Sequence, residues 1–241
     1  MAETGRRDGR GCEEFRSIFM QTGLLKHAKG SSYLELGATK VMVGVFGPRQ
    51  SDRKLGFSDS GRLQCEVRFT SFAGGNATQT HQSAAERNMS AALTQALAPS
   101  VLLDRLPKTV VDVYAMVLES GGGELAACIT AASAALASAG LELMDLAPAC
   151  QVVRVDGQLL LDPTLAEADQ ANGSVVLAAL PATNEVTLMS VTGTWSALGS
   201  RQAVELAMGG CAQLRESMRG TLLDACATAF AAAADSSDAV A

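Results

Sequence analysis

The feature that most constrains the fold of this chain is the order of its strand-like and helix-like segments. This order occurs twice along the sequence. In each half, segments with strand composition come first and helical segments follow. No flexible Gly/Ser-rich or Pro-rich linker separates the halves, so separate domains are not expected. The sequence predicts an α+β fold in which two related β-α halves pack as one domain. The expected limits are an N-terminal arm over 1–20, the domain over 21–232 and a disordered tail over 233–241.

The first half begins with a predicted β-hairpin that turns at Gly37. Thr109–Glu119 is β-branched and mostly apolar, which is typical of a central strand buried on both faces. Leu125–Leu141 is rich in small residues and too short to span a membrane, so it predicts a buried core helix. The predicted strands are Ser32–Glu35, Thr39–Phe46, Leu63–Phe69, Thr109–Glu119, Cys150–Val155, Gln158–Asp162, Ser174–Leu180 and Glu185–Thr192, and the predicted helices are Ala84–Leu103, Glu124–Ala139 and Gly199–Ala232.

Composition excludes several classes of protein. Apolar residues make up 48% and charged residues 18%, which is typical of a globular chain and unlike disorder. The net charge of −6 argues against a free-standing nucleic-acid binder. The six cysteines form no C-x-x-C pair, so we expect reduced, mostly buried thiols. His27 and His81 are the only histidines, which leaves little room for a His-based triad or metal site.

Several short motifs together resemble the RNase PH superfamily of phosphorolytic exoribonucleases, over about Arg7 to Ala225. Within it, the runs TKVMVGVFGPRQ and VDVYAMVLESGG are most similar to eukaryotic ring subunits of the RNA exosome, particularly a non-catalytic one named for an mRNA-transport defect. The resemblance implies an RNase PH-like fold. The motifs are Arg7-Asp8-Gly9-Arg10, Gly30-Ser31-Ser32, Gly37-x-Thr39-Lys40-Val41, Gly47-Pro48-Arg49, Gly61-x-Leu63-x-Cys65, Gly121–Gly123, Ala126-Ala127-Cys128 and Leu161-Asp162-Pro163-Thr164.

The resemblance implies that the phosphate pocket of active members is missing here. Those members place a Gly-Thr-Arg motif at a helix N-terminus, where it binds phosphate. The corresponding residues are Gly123, Glu124 and Leu125. Leu125 offers no charge, and Glu124 would repel phosphate by about 1 kcal/mol or more. The glycines are then interpreted as a tight strand-to-helix turn, with anion binding as the alternative.

Two further parts of the active site are also expected to be lost. A second phosphate-contacting arginine corresponds to Ala91; Arg87, one turn away, could partly substitute, contact RNA or a neighbouring subunit, or be solvated. Two aspartates that serve a metal or proton transfer in active members correspond to Ala168 and Ser174. Glu167 and Asp169 flank the first position. No catalytic, phosphate-binding or metal-binding residue is therefore expected, and no cofactor.

The resemblance then implies a non-catalytic subunit of the six-membered exosome ring, which supports 3′-to-5′ RNA processing and degradation. Expected partners are other RNase PH-like subunits (first as a heterodimer), cap proteins, a hydrolytic nuclease and single-stranded RNA, with no membrane. Because the N-terminus lacks a secretory signal, nucleus, nucleolus and cytoplasm are the expected compartments. The alternatives are an active phosphate-dependent 3′-to-5′ exoribonuclease and an interaction protein outside any ring.

Basic side chains are the candidates for contact with RNA. They would follow a phosphate backbone without reading its sequence. Ion pairs between subunits, or a solvated face, are equally compatible with the pattern. The candidates are Arg6, Arg7 and Arg10 near the N-terminus, and Arg49, Arg53, Lys54, Arg62, Arg68 and Arg87 further along.

Overall fold

The computed structural model describes residues 6, 8–50, 60–73 and 83–238, with side chains to residue 228 and Phe230. Within these residues the chain forms two β-sheets and four α-helices. The elements in chain order are β1 (Ile18–Thr22), β2 (Gly30–Leu36), β3 (Thr39–Gln50), β4 (Arg62–Phe69), α1 (Ala84–Leu97), β5 (Thr109–Glu119), α2 (Glu124–Ser138), β6 (Ala149–Val155), β7 (Gln158–Leu161), α3 (Leu165–Asp169), β8 (Gly173–Leu180), β9 (Glu185–Gly193) and α4 (Ala197–Asp238).

The first sheet has the order β1-β2-β3-β5-β4, and only the β4–β5 pair is parallel. Alternation along β5 turns Val113 and Val117 into the core, where both are fully buried. The alternate residues Tyr114 and Met116 face outward and are 46% and 47% exposed. The prediction that this strand is buried on both faces is therefore wrong. Among the described residues, α1 and α2 pack on the core face of this sheet, and α4 packs beside its edge strand β1.

The second sheet has the order β7-β6-β8-β9 and is antiparallel throughout. Its strand β8 has both faces covered. Val175 and Leu177 pack in the cluster that contains α4, whereas Ala178 and Leu180 belong to the cluster around α2. The strand buried on both faces thus belongs to the second half, because helices flank both sides of this sheet.

Helix α2 confirms the expected core helix. Every residue from Ala126 to Leu136 is buried. Small side chains let it approach both sheets: a Cβ on Gly30 of β2 would lie 2.4 Å from the Ala135 carbonyl oxygen, and Thr130 Oγ1 accepts the Ala149 N–H of β6 at 3.0 Å. None of the helices among the described residues is both long and apolar enough to cross a membrane.

Several element boundaries differ from the expected ones. Helix α1 ends at Leu97 instead of Leu103, because Pro99 follows in a short 3-10 turn and has no N–H to continue the helix. The short elements β1 and α3 were not predicted. Strand β1 begins within the segment expected to be an arm, and α4 extends to Asp238. The proposed domain limits stay a prediction.

All six cysteines are free, and four of them are buried as expected. Burial raises the pKa of Cys65 and of Cys128 to about 12. The Sγ atoms of Cys150 on β6 and Cys211 on α4 lie 3.3 Å apart, and this contact, together with burial, raises the pKa of Cys150. In contrast, Cys226 is exposed on α4.

We therefore expect strongly unequal alkylation of the native, purified chain by iodoacetamide at about pH 8. Cys226 should react at least about 100-fold faster than Cys128, because a thiol with a pKa near 12 is only roughly 10⁻⁴ thiolate there and is also inaccessible. Peptide mass spectrometry of quenched time points measures both rates, and urea-unfolded chain is the control in which the difference should vanish. Comparable native rates would contradict the burial of α2.

Candidate functional site

The candidate site lies where the turn Gly121–Gly123 leads from β5 into α2. Gly122 and Gly123 have positive φ angles of 101° and 71°, which glycine adopts without strain. The turn also packs tightly, since a Cβ on Gly122 would lie 2.7 Å from the Pro163 carbonyl oxygen. The Gly121 carbonyl accepts the Leu165 N–H of α3 at 3.0 Å. The glycines therefore have a structural role in seating α2 against α3.

The N-terminus of α2 already holds a carboxylate of its own. Glu124 Oε1 accepts the backbone N–H of Gly122 at 3.1 Å and the hydroxyl of Ser120. A helix N-terminus favours negative charge, and here Glu124 supplies it from within the chain. The neighbouring Leu125 packs against the hydrophobic core and directs no polar group toward the turn.

Sheet 2 contributes two uncharged polar side chains beside this turn. Gln151 Nε2 on β6 donates to Ser174 Oγ on β8 at 2.9 Å. A Cβ on Gly123 would lie 3.7 Å from Gln151 Oε1, so Gln151 sits between the turn and Ser174. Gln151 therefore lies beside both Gly123 and Ser174. Sequence reasoning did not identify Gln151.

The carboxylates that flank Ala168 take no part in a ligand cluster. Ala168 lies in α3, Asp169 is exposed, and Glu167 binds Arg6. Within the described part of the chain, no group of three or more His, Cys, Asp or Glu side chains could hold a metal ion.

Arg87 and Ala91 lie one turn apart on α1, and both are exposed. Within the described residues, no hydrogen bond or ion pair joins the Arg87 side chain to Glu124 or Gln151. The predicted partial substitution of Ala91 by Arg87 stays a prediction.

A buried ion pair that sequence reasoning missed lies directly behind the turn. Arg16 and Asp162 have side chains only 6% exposed, and the guanidinium donates to both carboxylate oxygens, from Nη2 at 2.6 Å and from Nε at 2.9 Å. Arg16 also donates to the carbonyls of Gly121 and Gly122, both at 2.9 Å. Asp162 was visible in the Leu-Asp-Pro-Thr motif, but no local pattern in the sequence links it to Arg16.

Two of the N-terminal arginines are structural and do not form a basic surface. Arg6 is buried, donates to the Leu161 carbonyl at 2.8 Å and pairs with Glu167 at 2.9 Å. Burial alone would raise the pKa of Glu167, but hydrogen bonds from Arg6 and from the Thr164 N–H hold that pKa below its ordinary value. Arg10 pairs with Asp8 at 2.6 Å. Arg7 lies outside the described residues.

The second basic group is only partly described, because Arg53 and Lys54 lie outside the described residues. Arg49 pairs with the buried Asp112 at 2.6 Å, and Arg68 pairs with Glu66 at 2.7 Å. Arg49 and Arg62 stand opposite Val110 from the two strands that flank β5, and Arg62 is exposed. The structure therefore brings two basic side chains to one end of the first sheet.

Comparison with known proteins gives this fold its class. The model of the 3′ exoribonuclease family, domain 1 (RNase PH), matches residues 14–142, and that of domain 2 (RNase PH C-terminal) matches residues 145–210. Together they cover most of the chain, so the protein belongs to the RNase PH family of 3′ exoribonucleases. The resemblance to the RNase PH superfamily and the α+β, RNase PH-like fold class are confirmed.

Along most of its length, the chain is similar to two exosome complex components and to one solved structure. The chain is 39% identical to exosome complex component RRP41-like of Arabidopsis thaliana over 90% of this chain and 84% of that protein. It is 37% identical to exosome complex component MTR3 of Homo sapiens over 90% of this chain and 86% of that protein. The structure of rice Rrp46 matches with a TM-score of 0.80 at 25% identity, over 90% of this chain and 100% of that one.

The buried ion pair predicts a large loss of stability when Arg16 is removed. We expect Arg16→Ala to lower the free energy of unfolding by about 3–5 kcal/mol, because Asp162 would stay buried without its partner. Arg201→Ala, which removes an exposed pair with Glu205, is the control and should leave the free energy of unfolding nearly unchanged. Urea unfolding followed by circular dichroism measures both, and a cost below about 1 kcal/mol for Arg16→Ala would contradict the assigned role.

Proposed function

We propose that this chain is a non-catalytic ring subunit of an RNA exosome. It shapes the ring and part of the path of single-stranded RNA, and so supports 3′-to-5′ RNA processing, including rRNA maturation, and RNA degradation. The observation that carries the non-catalytic role is the Glu124 carboxylate, which accepts the Gly122 N–H at the N-terminus of α2.

The place in an exosome is supported by the relatives that the chain matches along most of its length. Both the plant and the human relative are named as exosome complex components. A further structural neighbour is an Archaeoglobus fulgidus exosome with RNA bound to the active site. That neighbour is 22% identical and supports the fold alone. The human relative also supports the finer assignment to the subunit type named for mRNA transport.

The proposed loss of phosphorolysis is supported by the negative charge of Glu124 at the turn Gly121–Gly123. Phosphorolysis needs an inorganic phosphate held by cationic side chains and N–H donors. Glu124 occupies the Gly122 N–H and would repel a phosphate a few ångströms away by about 1 kcal/mol or more. The neighbouring polar pair, Gln151 and Ser174, has no ionisable group that could serve as a general acid or base.

Contact with RNA is proposed for the basic end of the first sheet. Arg49 and Arg62 flank Val110 there, and the stretch that holds Arg53 and Lys54 connects β3 to β4. Such side chains would bind phosphates without reading bases, so binding should weaken as salt is raised. The proposed compartments are the nucleus, the nucleolus and the cytoplasm, which the assembled complex would share.

The experiment that tests the lost chemistry is a phosphorolysis assay on the purified chain. With 3′-labelled RNA, Mg²⁺ and inorganic phosphate, we expect no phosphate-dependent release of nucleoside diphosphates above a no-protein control, because three parts of the site are missing together. Robust release that is abolished by Arg87→Ala or by Asp169→Ala would establish the alternative, an active phosphate-dependent exoribonuclease.

Membership of a ring is tested by purifying the complex from cells under mild conditions through an affinity tag on this chain. The native mass of the complex is then measured and its subunits are identified. The expected result is a discrete assembly of different subunits, several of them RNase PH-like, in which this chain is present once. A lone chain, or an assembly of identical copies, would contradict the proposal.

A further inference from the structure

Strand β9 forms an open edge of the second sheet. Among the residues that the structure describes, its nine residues, Glu185–Gly193, pair with β8 on one side only. Between Val186 and Val191, no hydrogen bond among the described residues reaches the backbone groups that point away from β8. Residues 186–200 contain no Asp, Glu, Lys or Arg. From Val186 onward this long, open edge is uncharged, and such an edge is a template for another strand, which proteins usually protect.

The other sheet edges among the described residues are short or covered. On β4, the N–H groups of Val67 and Phe69 donate to the Ser90 hydroxyl and the Glu86 carboxylate of α1. Strand β7 has only four residues, and its Leu161 N–H donates to the Cys12 carbonyl at 2.8 Å. Strand β1 has five residues and packs beside α4. Among these four edges, β9 alone is both long and open.

The side chains of β9 add an apolar surface to this open edge. Val186, Met189 and Val191 are 46%, 48% and 44% exposed. Met189 and Val191 stand opposite Leu177 and Val175 of β8, so they share the sheet face on which α4 packs. Helix α4 covers β6, β7 and β8 on that face and leaves most of β9 uncovered. The open backbone edge and the exposed apolar side chains therefore both favour an extended strand with apolar side chains as the occupant.

We propose that an edge strand of a neighbouring, non-identical ring subunit pairs with β9 and extends the second sheet across the subunit boundary. Among protein segments, an extended strand is the one that can replace water along a whole row of open N–H and C=O groups. Its side chains on the α4 face would be apolar and uncharged, since they would pack on Val186, Met189 and Val191. This inference rests on the proposed function and specifies one of its interfaces.

Hydrogen–deuterium exchange tests the pairing without any substitution. The free chain is compared with the assembly recovered from cells, and peptides covering β9 are followed. We expect the fast-exchanging amides of β9 to slow at least tenfold in the assembly, because the partner strand would bind them. Peptides from the exposed segment around Lys26 serve as a reference and identify any general slowing.

Matched pairs of substitutions test the apolar contact. Met189→Lys with Val191→Lys places charge on the α4 face of β9, whereas Ser190→Lys with Thr192→Lys places the same charge on the opposite face. All four positions are exposed, so both variants should fold, as circular dichroism and thermal melting would verify. We expect the amount of the Met189/Val191 variant recovered in the assembly to be at least tenfold lower than that of the wild type. The amount of the Ser190/Thr192 variant should stay within about twofold of the wild type.

Three outcomes would overturn the proposal, and they differ in whether the proposed function is also contradicted. Unchanged exchange of β9 and normal assembly of the Met189/Val191 variant would remove the β9 interface and leave the proposed function standing. Pairing of β9 with a second copy of this chain, seen as a homodimer blocked by that variant, would exclude a non-identical partner. Recovery of wild-type chain without other subunits would remove the proposed function as well.

Discussion

The buried pair between Arg16 and Asp162 holds the two halves of the fold together. Arg16 precedes the first sheet, Asp162 follows β7 of the second, and the same guanidinium donates to the carbonyls of Gly121 and Gly122. A buried charge must be paired and hydrogen-bonded, so each group depends on the position of the other. Through Arg16 this contact also ties the turn that begins α2 to both halves, in addition to the packing of the turn against α3.

Under the proposed function, Glu124 shows how this turn can be kept while its chemistry is lost. The glycines are needed because of close packing against α3, and that requirement holds whether or not a phosphate binds. The N-terminus of α2 still favours an anion, which the chain now supplies from its own side chain. In the proposed exosome ring, the fold would therefore serve through its surfaces, of which the open edge of β9 is the least protected.

Local patterns predicted most elements, and the failures have a common cause. The hairpin around Gly37, the limits of β5 and helix α2 were predicted correctly, since composition and turn residues are local signals. The double burial assigned to β5 was wrong, and it is β8 that has helices on both faces. An apolar run shows that a strand is buried, but the neighbours that bury it come from distant parts of the chain.

The sequence by itself determined the family, the α+β class and the small-residue helix between the sheets. It also carries the proposal that Gly123, Glu124 and Leu125 replace a phosphate-binding motif. These properties depend on residue identity and spacing, which are visible along the chain. Only the tertiary structure decided that Arg6 and Arg10 turn inward, that Arg16 meets Asp162, and that β9 stays open at its edge. Each of these depends on residues far apart in sequence, because ion pairs and sheet edges are made by the packing of whole elements.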